Sequence, residues 1–155
     1  MDEIEKVFET KIVGLQLTKL NSFHDSRGAV YKFLDKTQKS YIEFGEVYFS
    51  LINKGVIKGW KLHRIAVQNI CAVYGETVFV IHDGRIDSSS FNQFEEIRIN
   101  PNENHILITI PPGVWYAFKS YTSSFSIISN VSSIVHDPKE SDSLDFESIK
   151  YEWRY

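Results

Sequence analysis

The stretch KGWKLHRIAVQNICAVYG, Lys58 to Gly75, carries a lysine, a histidine and a glutamine at defined intervals. Counting from Lys61, His63 follows at plus two, Gln68 at plus seven and Gly75 at plus fourteen. Residues two apart on a β-strand face the same side, so Lys61 and His63 are predicted to share one face. The stretch therefore predicts a strand that presents a cation and an imidazole side by side.

The rest of the chain reads as a series of short strands. About nine segments rich in β-branched and aromatic residues recur roughly every ten residues, which favours an all-β sandwich or barrel. The segments NICAVYG and ETVFVIHDG predict a tight hairpin around Gly75. The polar tail, 136–153, predicts either a short strand or turn that returns to the body or a mobile end.

Length and composition exclude several classes of protein. A chain of 155 residues with 43% hydrophobic and 24% charged residues predicts a single globular domain over 1–155. The net charge is −3 and no dense run of Lys or Arg occurs, so nucleic acid is not an expected partner. The N-terminus is acidic, which is not typical of a signal peptide, and no apolar run approaches the roughly 20 residues of a membrane helix.

The single cysteine, Cys71, excludes an internal disulfide and favours a reducing compartment. Its neighbours in QNICAVYG are apolar, so a buried, unreactive thiol is expected. Together with the absence of an export signal, this predicts a cytoplasmic protein.

The spacing around His63 matches the first sequence motif of the cupin superfamily, which reads His, any residue, His, four residues, Glu, six residues, Gly. The second cupin motif runs Pro, any residue, Gly, two residues, His, three residues, Asn. Its positions here are Pro111, Gly113, Tyr116 and Ser120. The chain thus resembles the cupins, and the resemblance implies a jelly-roll barrel, also called a double-stranded β-helix.

In metal-binding cupins the two His, the Glu and the later His hold the ion. Of these four positions the chain keeps only His63, and the other three carry Lys61, Gln68 and Tyr116. A metal site of this kind needs about three or four protein ligands in a set geometry. We therefore expect a barrel without a metal and without a cofactor.

The flanking segments resemble one cupin family, the dTDP-4-dehydrorhamnose 3,5-epimerases. The matching segments are SFHDSRGAVYKF, EVYFSLINKGVIKGW, ITIPPGVWYAF and a closing SIKYEW, which is similar to the family's final strand; together they cover about residues 20–153. KGWKLHRIAVQ also resembles the related dTDP-sugar 3,4-ketoisomerases. In the epimerases a His held by an Asp removes a proton beside the C4 ketone, and a Tyr returns one from the opposite face.

The chain departs from that family at its chemical positions. The family's base His falls on Lys61, the His of the Pro-Pro-Gly motif on Tyr116, the acid Tyr on or near Ile127, and the Asp of the dyad near Asp145. The resemblance thus implies the substrate class and leaves the catalytic residues to be found.

Three residues are candidates for catalysis: His63, Lys61 and Tyr116. His63 titrates near operating pH and is a candidate general base or acid, with substrate binding or a hydrogen bond to Gln68 as alternatives. Lys61 could stabilise an enolate or a phosphate, act as a base, or extend to solvent. Tyr116 offers a phenol that donates or accepts a proton, or it packs in an aromatic core.

A second set of residues is expected to bind the substrate, and the resemblance implies two of them. Arg27 and Lys58 fall on family positions that contact the phosphates and the sugar, as a bidentate donor and a point charge. The alternative for Arg27 is a turn salt bridge with Asp25. Tyr48 and Trp60 could stack on the base or the sugar ring, or pack in the core. Gln68 completes this set.

Three functions remain open from the sequence. The first is a nucleotide-sugar epimerase or ketoisomerase of polysaccharide biosynthesis that removes a proton next to a ketone without a metal. The second is a catalytically inactive cupin that binds a nucleotide sugar or glycan. The third is a metal-dependent cupin dioxygenase. The resemblance also implies a homodimer, for which exposed sheet edges would give a physical reason.

Overall fold

The computed structural model describes residues 6–122 and 124–154, so the first five residues of the acidic N-terminus lie outside the described residues. Within these ranges the chain forms strands and one turn of 3-10 helix (Phe146–Ser148). The strands are β1 (Val7–Phe8), β2 (Gln16–Lys19), β3 (Ser22–Asp25), β4 (Gly28–Tyr31), β5 (Glu46–Asn53), β6 (Ile57–His63), β7 (Gln68–Tyr74), β8 (Thr77–His82), β9 (Phe94–Ile99), β10 (Ile106–Ile110), β11 (Trp115–Ser120), β12 (Phe125–Ser132) and β13 (Ser141–Ser143).

The strands form two antiparallel sheets and one separate hairpin. The first sheet has the order β1-β2-β10-β7-β12-β5, the second has the order β13-β6-β11-β8-β9, and β3 pairs with β4. Neighbouring strands within each sheet run antiparallel. The predicted all-β class is confirmed.

The main hydrophobic core unites inward side chains from strands of both sheets. Its fully buried members include Ile52, Ile70, Phe79, Ile81, Ile99 and Ile108. Each such side chain contributes about 1.5–3 kcal/mol on burial, so the core holds the two sheets together. Tyr116 and Phe118 belong to the same cluster, which brings β11 to the wall of the barrel interior.

The expected hairpin around Gly75 is wrong. Strand β7 pairs with β10 and β12 in the first sheet, whereas β8 pairs with β9 and β11 in the second. Gly75 has φ of 74°, and a Cβ there would lie 2.7 Å from Thr122 Cγ2. Two apolar segments on either side of a glycine are compatible with a hairpin and with a connection between two sheets. Here the chain passes from the first sheet to the second at Gly75.

The C-terminal segment returns to the body of the protein. Ser141 and Ser143 pair with His63 and Lys61, so β13 forms the edge next to β6. Beyond the 3-10 turn, Ile149, Tyr151 and Trp153 pack on a cluster around Trp60, Val80 and Ala117. Of the two alternatives for the tail, the return to the body is the one observed, but the closing SIKYEW segment packs without forming the strand that the resemblance implied.

Cys71 is buried beside Leu20 and Leu107 in a small second cluster. Burial raises the pKa of its thiol to about 12, which confirms the expected unreactive cysteine. Among the described residues, none of the helical structure has the length and apolar character to cross a membrane.

Candidate functional site

Strands β6 and β11 lie side by side and carry the two motif segments. Their register places Lys61 opposite Tyr116 and Gly59 opposite Ala117, with a one-residue irregularity between the two pairs. Gly59 has φ of 126°, and a Cβ there would lie 2.7 Å from the Cα of Ala117. Only glycine permits this close approach, which sets Lys61 beside Tyr116.

Three buried side chains form a continuous hydrogen-bonded line. His63 Nδ1 lies 2.8 Å from Glu140 Oε2, and His63 Nε2 lies 3.2 Å from Tyr116 Oη. The exposed fractions are 8% for His63, 6% for Glu140 and 3% for Tyr116. The line therefore runs from a carboxylate through an imidazole to a phenol, largely shielded from water.

The backbone fixes the direction of this line. The other oxygen of Glu140, Oε1, accepts hydrogen bonds from the amides of Ile65 at 3.0 Å and Ala66 at 2.8 Å. An ionised carboxylate only accepts, so His63 Nδ1 carries the proton toward Glu140. Nε2 is then an acceptor, and the hydroxyl of Tyr116 donates to it.

The pKa directions agree with that assignment. Burial lowers the pKa of His63 and outweighs the hydrogen bond and charge of Glu140, so the imidazole is neutral. Burial pushes the pKa of Glu140 upward, but the Ala66 amide and His63 outweigh it and hold that pKa below its usual value. Burial, with the nearby Tyr48 and Glu140, raises the pKa of Tyr116 well above its usual value.

A cavity of about 370 Å³ opens between β5, β6, β11 and β12. Its polar lining includes Tyr48, Ser50, Lys58, Lys61, Tyr116 and Asn130. We call it the lysine cavity, because two lysines border it and none of its described lining residues is acidic. Its size and its few polar groups on an apolar wall are typical of a small-molecule site.

A second cavity of about 310 Å³ is lined by residues that include Glu46, Tyr48, Lys61, His63, His136 and Glu140. We call it the carboxylate cavity. Lys61 and Tyr48 line both cavities, so these two side chains form the wall between them. Lys61 and His63 thus share a cavity wall, whereas Tyr116 lines the lysine cavity.

A buried amide at the lysine cavity has an acceptor without a partner. Asn130 is 3% exposed, and its Nδ2 donates to Tyr48 Oη at 2.7 Å. Its Oδ1 has no hydrogen-bond partner in the described structure. A buried unpaired acceptor costs about 1–3 kcal/mol.

The donor set at the cupin metal positions does not fit a metal ion. Both ring nitrogens of His63 are engaged, by Glu140 and by Tyr116. Lys61 is a cation, and Gln68 is a poor ligand that donates through Nε2 to Ser132 Oγ. Over residues 6–122 and 124–154, no group of three or more His, Cys, Asp and Glu side chains forms a possible metal site.

Three candidate binding residues are poorly placed to contact a ligand within one chain, although Trp60 is among the residues that line the lysine cavity. Trp60 is fully buried in the cluster under the C-terminal segment and donates through Nε1 to the carbonyl of Phe146 at 2.9 Å, so its indole cannot stack on a ligand. Gln68 is fully buried and lines neither cavity. Arg27 sits in the β3–β4 hairpin, 88% exposed, and pairs with Asp25 at 2.7 Å. Within one chain Arg27 therefore does not reach the lysine cavity.

The carboxylate that holds the imidazole is Glu140, and the expectation of Asp145 was wrong. Asp145 is exposed and precedes the 3-10 turn. Glu140 was missed because it stands in a polar segment, HDPKESDS, without alternation of apolar residues. The available signal was chemical: a buried histidine needs a partner for each ring nitrogen.

Comparisons with known proteins agree with this architecture. The family model for dTDP-4-dehydrorhamnose 3,5-epimerase matches residues 9–155. No curated protein matches the chain. A dTDP sugar isomerase from Desulfovibrio desulfuricans superposes with a TM-score of 0.89 at 28% identity, covering 92% of each chain.

Two further solved structures share the fold at lower identity. The dTDP-4-dehydrorhamnose 3,5-epimerase of Sulfolobus tokodaii has a TM-score of 0.84 at 22% identity and covers 98% of this chain and 88% of its own. The dTDP-6-deoxy-D-glucose-3,5-epimerase of Legionella pneumophila has a TM-score of 0.83 at 20% identity. The match covers 92% of this chain and 79% of the Legionella chain. These likenesses confirm the expected cupin jelly-roll.

The family match spans nearly the whole chain and confirms the resemblance drawn from the sequence. It also confirms the expected class of enzyme, a carbohydrate epimerase. The chain belongs to the dTDP-4-dehydrorhamnose 3,5-epimerase family.

Proposed function

We propose that this protein is an epimerase or ketoisomerase that acts on a nucleotide-linked 4-keto-6-deoxy sugar by moving a proton next to the ketone. One observation carries the proposal: a Glu140–His63–Tyr116 line ends at a cavity that two lysines border. The ketone acidifies the neighbouring C–H, and a positioned acid–base pair supplies the rest of the chemistry. The reaction needs no metal.

The substrate class is supported by the relatives. The Legionella pneumophila enzyme is in complex with dTDP-4-keto-L-rhamnose, and the Desulfovibrio desulfuricans protein is a dTDP sugar isomerase. Lys58 and Lys61 provide the positive charge that a diphosphate requires. We infer that they hold the diphosphate while Tyr48 and Asn130 contact the sugar.

A homodimer would give Arg27 a role. Val47, Phe49 and Leu51 are exposed by 48%, 67% and 51% on β5, which forms the edge of the first sheet. An apolar, unpaired edge strand favours association with another chain. In a dimer, the β3–β4 hairpin of one copy could bring Arg27 to the lysine cavity of the other.

We further infer a cytoplasmic enzyme of polysaccharide biosynthesis. The buried Cys71 thiol fits a reducing compartment. Deoxysugar nucleotides are substrates for building glycans, which accounts for the pathway class.

The test is to incubate the protein with dTDP-4-keto-6-deoxyglucose in D₂O and follow the sugar by NMR. Deuterium at C3 or C5 with inversion there is the result expected of an epimerase, and migration of the ketone to C3 that of a ketoisomerase. Tight binding without proton exchange would instead favour a binding protein that has lost the chemistry.

A further inference from the structure

We propose that Tyr116 is the side chain that exchanges a proton with the substrate, and that His63, held by Glu140, is the proton acceptor behind it. The inference deepens the proposed function and rests on it. It differs from the expectation from the sequence, in which His63 itself removes the proton and Lys61 or Tyr116 stabilises or reprotonates the enolate.

The first step is the choice of cavity. A nucleotide sugar carries a diphosphate, and its two negative charges favour a cationic wall over an anionic one. The lysine cavity has Lys58 and Lys61 on its wall and no acidic side chain among its described lining residues, whereas the carboxylate cavity shares Lys61 but adds Glu46 and Glu140. The substrate therefore occupies the lysine cavity.

The second step is what the lysine cavity presents to a ligand. Tyr116 lines it, and His63 lines the carboxylate cavity instead. The Nε2 of His63, its only acceptor, is covered by Tyr116 Oη at 3.2 Å. A sugar in the lysine cavity thus meets the phenol, while the imidazole stands behind it.

The third step is the proton balance. The hydroxyl proton of Tyr116 passes to His63 Nε2 as the phenol oxygen takes the proton from the carbon beside the ketone. The substrate becomes an enolate, Tyr116 is a phenol again, and His63 is an imidazolium that the ionised Glu140 stabilises. The reverse transfers return a proton to the same face of the carbon, which exchanges its hydrogen without inversion and consumes no other reactant; inversion requires a proton delivered to the opposite face.

Two observations support the energetics of this relay. Lys61 stands opposite Tyr116 in the strand pairing and lines the same cavity, so its positive charge, while the ammonium contacts the diphosphate, still favours the negative charge that forms on the enolate nearby. The raised pKa of Tyr116 and the lowered pKa of His63 keep both groups neutral before substrate binds. The imidazolium and the enolate therefore form only when a substrate C–H group supplies a proton.

The test compares Tyr116→Phe with the unmodified protein in the D₂O exchange assay. Phenylalanine keeps the packing next to Phe118 and removes only the hydroxyl. We expect exchange to fall by about 10²–10⁴-fold, the usual contribution of a positioned acid–base group, while dTDP still binds. Tyr74→Phe is the matched control, because Tyr74 is exposed at the end of β7 and lines neither cavity; its exchange rate should not change.

A second measurement covers the case in which Tyr116→Phe does not fold. Incorporating 3,5-difluorotyrosine at position 116 retains the ring and hydroxyl but makes the phenol more acidic, so the exchange rate and its pH profile should shift if the phenol carries the proton. Exchange within about tenfold of normal in Tyr116→Phe, or an unshifted profile with the fluorinated residue, would overturn the relay and leave the proposed function standing. Absence of exchange in the unmodified protein would overturn both.

Discussion

His63 Nδ1 and Glu140 Oε2 lie 2.8 Å apart inside the protein, although 77 residues separate them along the chain. Glu140 directly precedes β13, whose pairing with β6 brings the carboxylate to the imidazole. The C-terminal segment is therefore part of the site as well as a cover for the second sheet. Its loss would remove the group that orients the histidine.

Glu140→Gln tests that orientation. The amide retains an oxygen for the amides of Ile65 and Ala66, but it loses the charge that fixes the proton on Nδ1 and stabilises the imidazolium. We expect kcat to fall by about 10²–10⁴-fold with little change in KM. Steady-state kinetics beside the exposed control Glu43→Gln measure this. Normal kcat in Glu140→Gln would show that the carboxylate has only a structural role.

The pH dependence follows from the lowered pKa of His63. The relay needs a neutral imidazole. We therefore expect kcat/KM to stay constant as the pH is lowered to 6.5, the ordinary pKa of histidine, and to fall below that pH. An acidic limb centred above that value would contradict the assignment.

The same shift predicts a trend in stability. Below pH 6.5 the unfolded chain binds a proton at His63 more readily than the folded protein does, so the free energy of unfolding should decrease as the pH falls from that value. Above it the contribution is fully present. Urea unfolding at a series of pH values measures the slope, and His63→Asn should lack this component of it.

Lys58 and Lys61 are expected to bind the diphosphate. Replacing either with Met removes a charge from the lysine cavity and retains the aliphatic length. A hydrogen bond to a charged group contributes about 1.5–3 kcal/mol, so dTDP affinity should fall by about 10- to 100-fold. Calorimetric titration measures it, with Lys36→Met as the exposed control. Unchanged affinity in both variants would place the diphosphate elsewhere.

Asp83 is expected to matter for stability. Its side chain is fully buried and accepts hydrogen bonds from Arg85 at 2.8 Å, Ser88 at 2.7 Å and Ser90 at 2.6 Å. Burial raises the pKa of Asp83, but these donors, Arg85 first, outweigh it and hold the pKa below its usual value.

The carboxylate is buried but the Arg85 side chain is 29% exposed, so Asp83→Asn should lose about 1.5–3 kcal/mol in urea unfolding, the contribution of a hydrogen bond to a charged group. Asp87→Asn, an exposed change in the same loop, is the control and should be nearly neutral. Equal stability of the two variants would contradict the structural role of Asp83.

The sequence predicted the all-β class and the strand face on which the motif residues lie. Both depend on the alternation of side chains along a single strand. Lys61 and His63 share a cavity wall as their spacing requires. The same alternation puts Trp60 on the opposite face, where it packs under the C-terminal segment. Its expected stacking on a base or sugar ring rested on its aromatic character, and the alternative, packing in the core, is the one observed.

The parts that could not be predicted depend on distant pairing. Glu140 reaches His63 through the pairing of β13, which its own polar sequence does not indicate. The crossing at Gly75 depends on which sheet each strand joins. The partners of both His63 ring nitrogens, Glu140 and Tyr116, also depend on distant pairing, so the sequence around His63 could not indicate them.

The most direct test is a crystal structure of His63→Asn bound to dTDP-4-keto-6-deoxyglucose. We predict the sugar in the lysine cavity, with the diphosphate at Lys58 and Lys61 and the carbon beside the ketone about 3–3.5 Å from Tyr116 Oη. A sugar bound in the carboxylate cavity, next to Glu46 and position 63, would contradict it.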